Sequence, residues 1–429
     1  MSTTNLKSKI ILGLLVVVFI IGLVAVIYQT QQGLIVTNMR NPFSWGLYIV
    51  IWAFLVGIAT GGLMVTSSIY LFNIERLKPF SRITALVALI STMAAMVVLL
   101  VDIGRPDRVL NMLIHPQFGS VLIWDFMALT LCAVFAICYI FIQMRPDIAR
   151  KGIKLPLVGV IGKKDLSTGA LERMEDQSER RARLIAPVVL VVAILAQMVE
   201  AWVFATQLSR PWWFGGALAP SFMASAIASG VVVIILASLY ALHYTKGLHN
   251  AYTSLGKIAA VCASVLLLIY YGDLVVKAWW GEGLEFETVK LLFTRYYALH
   301  IVEVLLITAA IFLLVKRVAN KRWLITGSLS MAVGILAHKY LLIPLAYNII
   351  PLNVATAEYD KLTGWAYPAA VGEITATLDN PSSLFSSFWS YSPSAIEWMA
   401  SAGLLAAAIL AFVLLSRILP IIPNTKVAK

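Results

Sequence analysis

The chain has 429 residues, of which 60% are hydrophobic and 13% are charged, and its mean hydropathy is +0.88. Because a soluble domain carries about 25% charged residues, this composition excludes a soluble globular protein and a disordered chain and predicts an integral membrane protein. The net charge of +12 does not indicate nucleic-acid binding, since the basic residues lie in short loops between apolar runs and form no single patch.

Ten apolar stretches have the length of about 20 residues that a helix needs to cross a membrane. They cover residues 10–28, 45–72, 82–102, 121–143, 184–207, 221–243, 256–277, 294–315, 323–347 and 394–418. The first stretch is too long for the apolar core of a signal peptide, and no small-residue cleavage site follows it. We therefore predict that it is retained as a span.

The predicted fold class is an all-α integral membrane protein with two four-helix bundles, formed by spans two to five and spans six to nine. Both bundles begin at the outer face, which is the arrangement of a parallel repeat, and spans one and ten flank them. The predicted parts are 1–44 (first span and outer loop), 45–207 (first bundle), 208–347 (second bundle) and 348–429 (long outer loop and last span).

The distribution of charge predicts the orientation. Most of the 33 Lys and Arg residues fall in loops on one side of the predicted spans, so that side and both termini are expected in the cytoplasm of a prokaryotic cell. The inner loop 144–183 carries basic and acidic residues alike, so we expect it to be solvated and to contact lipid headgroups. The long outer loop 348–393 is typical of a docking surface.

Tryptophan is distributed unevenly between the two sides. All but two of the 12 Trp residues, Trp52 and Trp323, fall on the outer side of the predicted topology. A two-sided aromatic belt would be more even. Two interpretations remain open: anchoring in the membrane interface, and a packed interface with an extracytoplasmic partner.

Several ionisable residues fall within the predicted spans, where each costs at least about 2 to 3 kcal/mol and needs a partner, a cavity or a function. All of them map to the outer half, where one connected polar pocket is possible: Asp102, Asp125, Glu200, Asp273, His300, Glu303, His338, Lys339 and Glu397. His300 and Glu303 are three residues apart and share a helix face. They form either a proton-transfer pair or a plain packing hydrogen bond.

Two segments near the outer face have further features. The sequence DIGRPDR, from Asp102 to Arg108, breaks the helix after the third span, and Asp102 and Arg105 are expected to form an ion pair there. In the second span, glycines permit close helix packing, and Trp45 and Trp52 share one face. That face is either a packing surface or an apolar wall for a lipid-soluble ring such as a quinone.

Metal and haem sites are not indicated. Cys132, Cys138 and Cys262 all lie in apolar segments without CxxC spacing, so no disulfide, zinc site or iron–sulfur cluster is predicted. A haem between the helices would need two axial histidines at matching depth, and His300 with His338 is only a weak candidate pair.

These motifs resemble the NrfD-like family, the membrane subunits of polysulfide reductase-type and related quinone-linked oxidoreductases. The resemblance is carried by DIGRPDR, by SVLIWD from Ser120 to Asp125 at the head of the next span, and by PFSWG at the start of the second span. It covers the eight central spans and extends to all ten. In that family two four-helix bundles are typical, ten-span members add flanking helices, and haem is usually absent.

The resemblance implies a membrane subunit without a redox cofactor of its own. It would exchange electrons between a membrane quinone (menaquinone or ubiquinone) and a ferredoxin-like iron–sulfur subunit on the extracytoplasmic side. That subunit would be coupled to a catalytic redox subunit. The residues expected at the quinone and its proton transfers are Asp125, His300, Glu303, Asp102, Arg105, Trp45 and Trp52. A proton path, and with it proton translocation, is expected to involve Glu200, Asp273, His338 and Lys339.

A different class of protein remains as the alternative. Ion-coupled secondary transporters are also built from repeats with charges inside the membrane. Their sites usually lie at the midplane in broken helices, whereas the charges of this chain crowd the outer half. The position of these charges therefore favours the quinone-linked subunit.

Overall fold

The computed structural model describes residues 3–39, 43–155, 159–164, 166–207, 209–242, 244–348 and 391–422. Within these ranges, ten helices are long and apolar enough to cross a membrane, which confirms the predicted number of spans. Most of the outer loop predicted to be a docking surface, residues 349–390, lies outside the described residues.

The described residues form twelve α-helices, of which all but α4 and α9 are the candidate spans. Their bounds are α1 (Thr3–Gln32), α2 (Leu47–Leu71), α3 (Ser81–Asp102), α4 (Val109–Ile114), α5 (Val121–Lys151), α6 (Thr168–Ala205), α7 (Leu218–Ala241), α8 (His249–Ala278), α9 (Gly283–Thr294), α10 (Tyr297–Lys316), α11 (Lys321–Tyr347) and α12 (Ala395–Ile418). Two short strands, β1 (Ile153–Leu155) and β2 (Gly159–Ile161), pair antiparallel between α5 and α6. The protein is otherwise helical wherever regular structure is described.

Helices α5 and α6 extend well beyond the apolar stretches that predicted them. Helix α5 continues to Lys151 and α6 begins at Thr168, because their polar ends are rich in Arg, Lys, Glu and Gln, which favour helix as strongly as leucine does. Hydropathy marks only the apolar part of such a helix. Much of the inner loop is therefore helical.

Helix α2 lies at the centre of the protein and is buried along almost its whole length. It contacts α3, α6 and α7, and α5 contacts α3 and α6. Among the later helices, α8 and α11 both contact α7 and α10. Helix α1 packs mainly on α12, which in turn contacts α3 and α2. The two terminal spans therefore lie side by side.

Glycines allow the closest helix approach at the centre. A Cβ atom on Gly61 of α2 would collide with the backbone of Ala226 in α7, and one on Gly230 of α7 would lie 3.0 Å from the Gly61 backbone. The missing side chains let the two backbones touch, which is how small residues act in membrane helices.

The helix ends define two faces. At the first, which we call the tryptophan face, α2, α5, α7, α10 and α12 begin and α1, α3, α6, α8 and α11 end. Hydrogen bonds join these ends: the Leu47 amide donates to the hydroxyl of Tyr391, which in turn donates to Glu397 at the start of α12. At the opposite face, which we call the basic face, Arg82 of α3 pairs with Asp147 of α5 at 2.5 Å.

Candidate functional site

A buried carboxylate lies between α10 and α11 with two imidazoles, of which one is buried and the other is half-buried. His300 and Glu303 are one turn apart on α10, and His338 comes from the adjacent α11. The Nδ1 atoms of His300 and His338 lie 3.2 Å and 2.7 Å from the two oxygens of Glu303. When Glu303 is ionised it can only accept, so each Nδ1–H donates to it. The predicted His300–Glu303 contact is present, with His338 as a second imidazole.

The surroundings of this cluster fix the rings. The hydroxyl of Tyr271 lies 3.2 Å from Nε2 of His300, and the Phe293 ring of α9 meets His300 edge-on. Tyr270 packs edge-on against His338, with ring centroids 4.9 Å apart. Because Nδ1 of a neutral imidazole carries the proton when it faces a carboxylate, Nε2 is left as the acceptor. In this tautomer the Tyr271 hydroxyl donates to Nε2 of His300, and Nε2 of His338 is an acceptor.

A cavity of about 40 Å³ lies beside the cluster, between α7, α8, α11 and the segment before α7. Its volume is room for a few water molecules. The walls combine rings with ionisable groups, and they include Trp213, Phe222, Tyr270, Asp273, His338 and Lys339. A few polar groups among aromatic walls are typical of a small-molecule site.

Asp273 forms an ion pair at the rim of this cavity. Lys277 lies one turn further along α8, and its ammonium is 2.7 Å from the Asp273 carboxylate. The same ammonium donates to the carbonyl of Trp212 at 3.0 Å and lies over the indole ring. Lys277 was not predicted from the sequence, although its i, i+4 spacing from Asp273 indicates such a pair.

Lys339 and Glu200 form an ion pair between two helices, α11 and α6. The Lys339 ammonium of α11 lies 3.6 Å from Oε1 of Glu200 in α6 and 3.0 Å from the centre of the Phe222 ring. Neither the ammonium nor Oε1 has a hydrogen-bond partner among the described residues. The other oxygen of Glu200 accepts from Gln197 at 2.6 Å, and Gln197 accepts from Thr60 at 2.6 Å.

Asp125 belongs to the Glu200 side of the protein. It is 2% exposed, and its Oδ1 has no hydrogen-bond partner among the described residues. The charge of Glu200 acts on it. Helix α5 packs against α3 and α6, whereas α10 packs against α8 and α11. The predicted quinone residues Asp125 and His300 are therefore on different groups of helices.

The predicted ion pair between Asp102 and Arg105 is wrong. Arg105 is exposed and forms two bonds to the carboxylate of Asp107, of 3.0 Å and 2.9 Å, which hold the pKa of Asp107 below its usual range. The reason is Gly104, whose φ of +69° ends the helix and directs the chain away from α3. Asp102 stays half-buried at the end of α3, where the charge of Glu397 acts on it.

The two tryptophans of the second span pack around one ring, Phe204 of α6. Trp45 meets Phe204 edge-on and stacks on Trp213 with centroids 5.4 Å apart, while Trp52 lies deeper, 6.1 Å from Phe204. Trp213 forms part of the cavity wall. Trp45 therefore lies behind that wall. Trp213 and Phe222 themselves were not predicted, because apolar walls are assigned only once the helices are packed.

Comparison with known proteins identifies the family. A family model described as polysulphide reductase, NrfD, matches residues 35–351, which is most of the chain. The chain belongs to this NrfD family. The match confirms the resemblance carried by DIGRPDR and PFSWG and establishes a multi-pass integral membrane protein.

The relatives of this NrfD-family chain include proteins named as membrane subunits or subunits of redox enzymes. A putative dimethyl sulfoxide reductase membrane subunit of Halobacterium salinarum is 36% identical over 58% of this chain and 56% of that protein, so the match spans little more than half of it. A selenate reductase subunit of Mesobacillus selenatarsenatis is 22% identical over 98% and 96% of the two chains. An Hdr-like menaquinol oxidoreductase integral membrane subunit of Archaeoglobus fulgidus is 22% identical over 96% and 93%.

Proposed function

We propose that this NrfD-family chain is the integral membrane subunit of a respiratory oxidoreductase complex. It exchanges electrons between the membrane quinone pool and an iron–sulfur partner subunit at the tryptophan face, which passes them to or from a catalytic subunit. Three relatives named as subunits, two of them of reductases and one of a menaquinol oxidoreductase, support this assignment. In this proposal the basic face and both termini are cytoplasmic, as the positive-inside rule requires.

The helix contacts support two four-helix bundles. Helices α2, α3, α5 and α6 contact one another in a closed order, and so do α7, α8, α10 and α11. The bundles meet along α2 and α7, at the glycines described above. A site between the bundles is where both can contribute residues, as Glu200 and Lys339 do.

The quinone ring binds in the cavity beside His338. A single observation carries this placement: His338 is a cavity wall whose Nδ1 is bonded to Glu303, so its Nε2 is an acceptor for a quinol hydroxyl proton. Trp213, Phe222 and Tyr270 supply the apolar walls that a ring requires. The second hydroxyl has an acceptor in Asp273 at the rim.

The walls of the cavity must separate to admit a ring, because about 40 Å³ holds only a few water molecules. The segment before α7 is suited to this movement. Phe214 is half exposed on it, and Gly215 has a φ of +139°, a conformation that is readily available only to glycine. Trp213 stays fixed by its hydrogen bond to the Leu342 carbonyl, at 2.8 Å.

The other predicted quinone residues take more distant roles in this proposal. Trp45 supports Trp213 from behind, and Trp52 extends the same aromatic cluster. Asp125 lies with Glu200, and Asp102 lies at the end of α3 beside Glu397. Exposed Arg105 is positioned at the surface that the partner subunit would cover.

Protons leave the cavity through the predicted path residues. Asp273, His338 and Lys339 line the cavity, and Lys339 faces Glu200 in the first bundle. From Glu200 the hydrogen bonds continue through Gln197 to Thr60 in the middle of α2. These hydrogen bonds extend the proposed path to the middle of the membrane, and proton translocation across the membrane is part of the proposal.

The secondary transporter is the weaker candidate. Glu200, Glu303 and Lys339 lie within about three turns of the helix ends at the tryptophan face. Transporter sites usually lie at the midplane. A site near one surface is instead within reach of an electron-transfer partner docked there.

The test is the replacement of His338 by Gln in the complex purified from its native membrane, with quinol-dependent electron transfer as the readout. We expect turnover to fall about 10²- to 10⁴-fold, because a positioned proton acceptor contributes that much. The matched control is His115→Gln, which changes an exposed histidine near the same face and should leave turnover unchanged. Unchanged turnover in His338→Gln, with the complex intact, would place the quinone elsewhere.

A further inference from the structure

The Lys339 ammonium is paired with Glu200 but has no hydrogen-bond partner among the described residues. It is 2% exposed, forms part of the cavity wall and lies 3.6 Å from Oε1 of Glu200, too far for a hydrogen bond. The stem of lysine is long and flexible. A hydrogen-bond acceptor placed in the cavity would therefore compete with Glu200 for the same ammonium.

Glu200 depends on that ammonium for its charge. It is completely buried, Gln197 is its hydrogen-bond donor among the described residues, and Lys339 is its ion-pair partner. Breaking a buried ion pair leaves an uncompensated charge that is strongly destabilising. A carboxylate in that position takes up a proton instead of remaining charged.

The other groups around Glu200 strengthen this response. Asp125 of α5 is a second buried carboxyl group, and its charge would repel that of Glu200. The groups from the other helices carry no charge. Thr60 of α2 is hydrogen-bonded to Gln197, and the Phe222 ring of α7 lies against the Lys339 ammonium. Among the described contacts of Glu200, Lys339 is the cation that offsets its charge.

We propose that binding of quinone in the cavity is coupled to uptake of one proton by Glu200, with Lys339 as the residue that transmits the coupling. A quinone carbonyl oxygen accepts a hydrogen bond from the Lys339 ammonium, which moves away from Glu200. The Glu200 carboxylate then binds a proton from water. No electron moves and no covalent bond of the quinone changes in this step. The inference rests on the proposed position of the quinone.

The experiment is calorimetric titration of the purified full chain with menadione, which has no ionisable group. Titrations in two buffers of different ionisation enthalpy, from about pH 5 to about pH 9, give the number of protons taken up per menadione bound. We expect a maximum of about one for the natural protein. Glu200→Gln should bind menadione with no proton uptake.

Two further variants separate this coupling from damage to the fold. Lys339→Met removes the donor, so it should bind menadione at least about tenfold more weakly, again without proton uptake. Glu285→Gln changes an exposed carboxylate of α9 and should keep the full uptake. The same proton count in Glu200→Gln as in the natural protein would overturn the proposal.

The outcomes distinguish the coupling from the proposed function. Menadione binding by the natural protein without proton uptake would overturn the coupling and leave the quinone site standing. Weaker menadione binding by Trp213→Ala, which removes a cavity wall, supports the site in that case. Failure of the natural protein to bind menadione would overturn the coupling together with the proposed quinone site.

Discussion

Trp213 is fully buried at a face where tryptophan usually anchors a protein in the membrane interface. Its ring meets Phe204 and Tyr347 edge-on, and its Nε1–H donates to the Leu342 carbonyl. Trp280, by contrast, is 84% exposed. The tryptophans at this face are therefore of two kinds: some pack inside the protein, and others are exposed and available to lipid or a partner.

Replacing Trp213 by Phe should destabilise the protein by about 1–3 kcal/mol, because the Leu342 carbonyl loses a buried donor and the smaller ring leaves space. Trp280→Phe is the matched control and should leave the stability of the protein unchanged. Heating in detergent with a thiol-reactive dye measures both, since Cys132 is buried and reacts when the protein unfolds. Equal unfolding temperatures for the two variants would contradict this account.

The sequence predicted contacts between residues of the same helix better than contacts between residues of different helices. The His300–Glu303 contact follows from residues one turn apart, so the sequence is sufficient to identify it. The bond of His338 to Glu303 depends on how α11 packs against α10, which periodicity does not specify. The pairing of Arg105 was mispredicted because the positive φ of Gly104, which turns the chain after α3, is not specified by the sequence pattern.

At the scale of elements, hydropathy predicted all ten long helices because a membrane helix must be continuously apolar. It missed α9, a short helix with Glu285 in its first turn whose buried residues contact the protein rather than lipid. It also predicted α5 and α6 to be shorter than they are, because their polar ends are helical outside the apolar stretch. Helix formation at these places depends on propensity and local packing, which hydropathy does not measure.

The contact between α2 and α7 gives the prediction at this scale. Gly61→Ala should destabilise the protein by about 1–3 kcal/mol, since the new Cβ collides with the Ala226 backbone and must push the helices apart. Gly57→Ala, one turn earlier in α2, is the matched control. Its Cβ would lie 3.4 Å from its nearest neighbours, an ordinary contact, so the variant should be as stable as the natural protein or slightly more so.

Both glycine variants are compared by the temperature at which the thiol dye reacts. A lower temperature for Gly61→Ala alone is the expected result. A similar loss in both variants would mean that the helices tolerate no side chain anywhere along this contact, and no loss in either would mean that the backbones are not in close contact.

For the whole molecule, the functional groups are concentrated at one face. The cavity, the His300–Glu303–His338 cluster and the Lys339–Glu200 pair all lie near the tryptophan face. Ion pairs such as Arg82–Asp147 and Lys78–Glu179 hold the helices together at the basic face. In the proposed function, quinone chemistry near this surface would place electrons within reach of a cofactor in a partner. The concentration of charges in the outer half of the spans was predicted from the sequence.

The partner is the last prediction. We expect mass spectrometry of the tagged chain, extracted gently from its native membrane, to find a ferredoxin-like iron–sulfur subunit and a larger redox enzyme that purify with it. The physical reason is that electrons from a quinol at the proposed site would need an acceptor close to the cavity, and two relatives are named as subunits of reductases. An unrelated multi-span protein of the same membrane, tagged and purified in parallel, controls for adventitious binding. Recovery of the chain alone, or only with copies of itself, would contradict the electron-transfer role and favour the transporter.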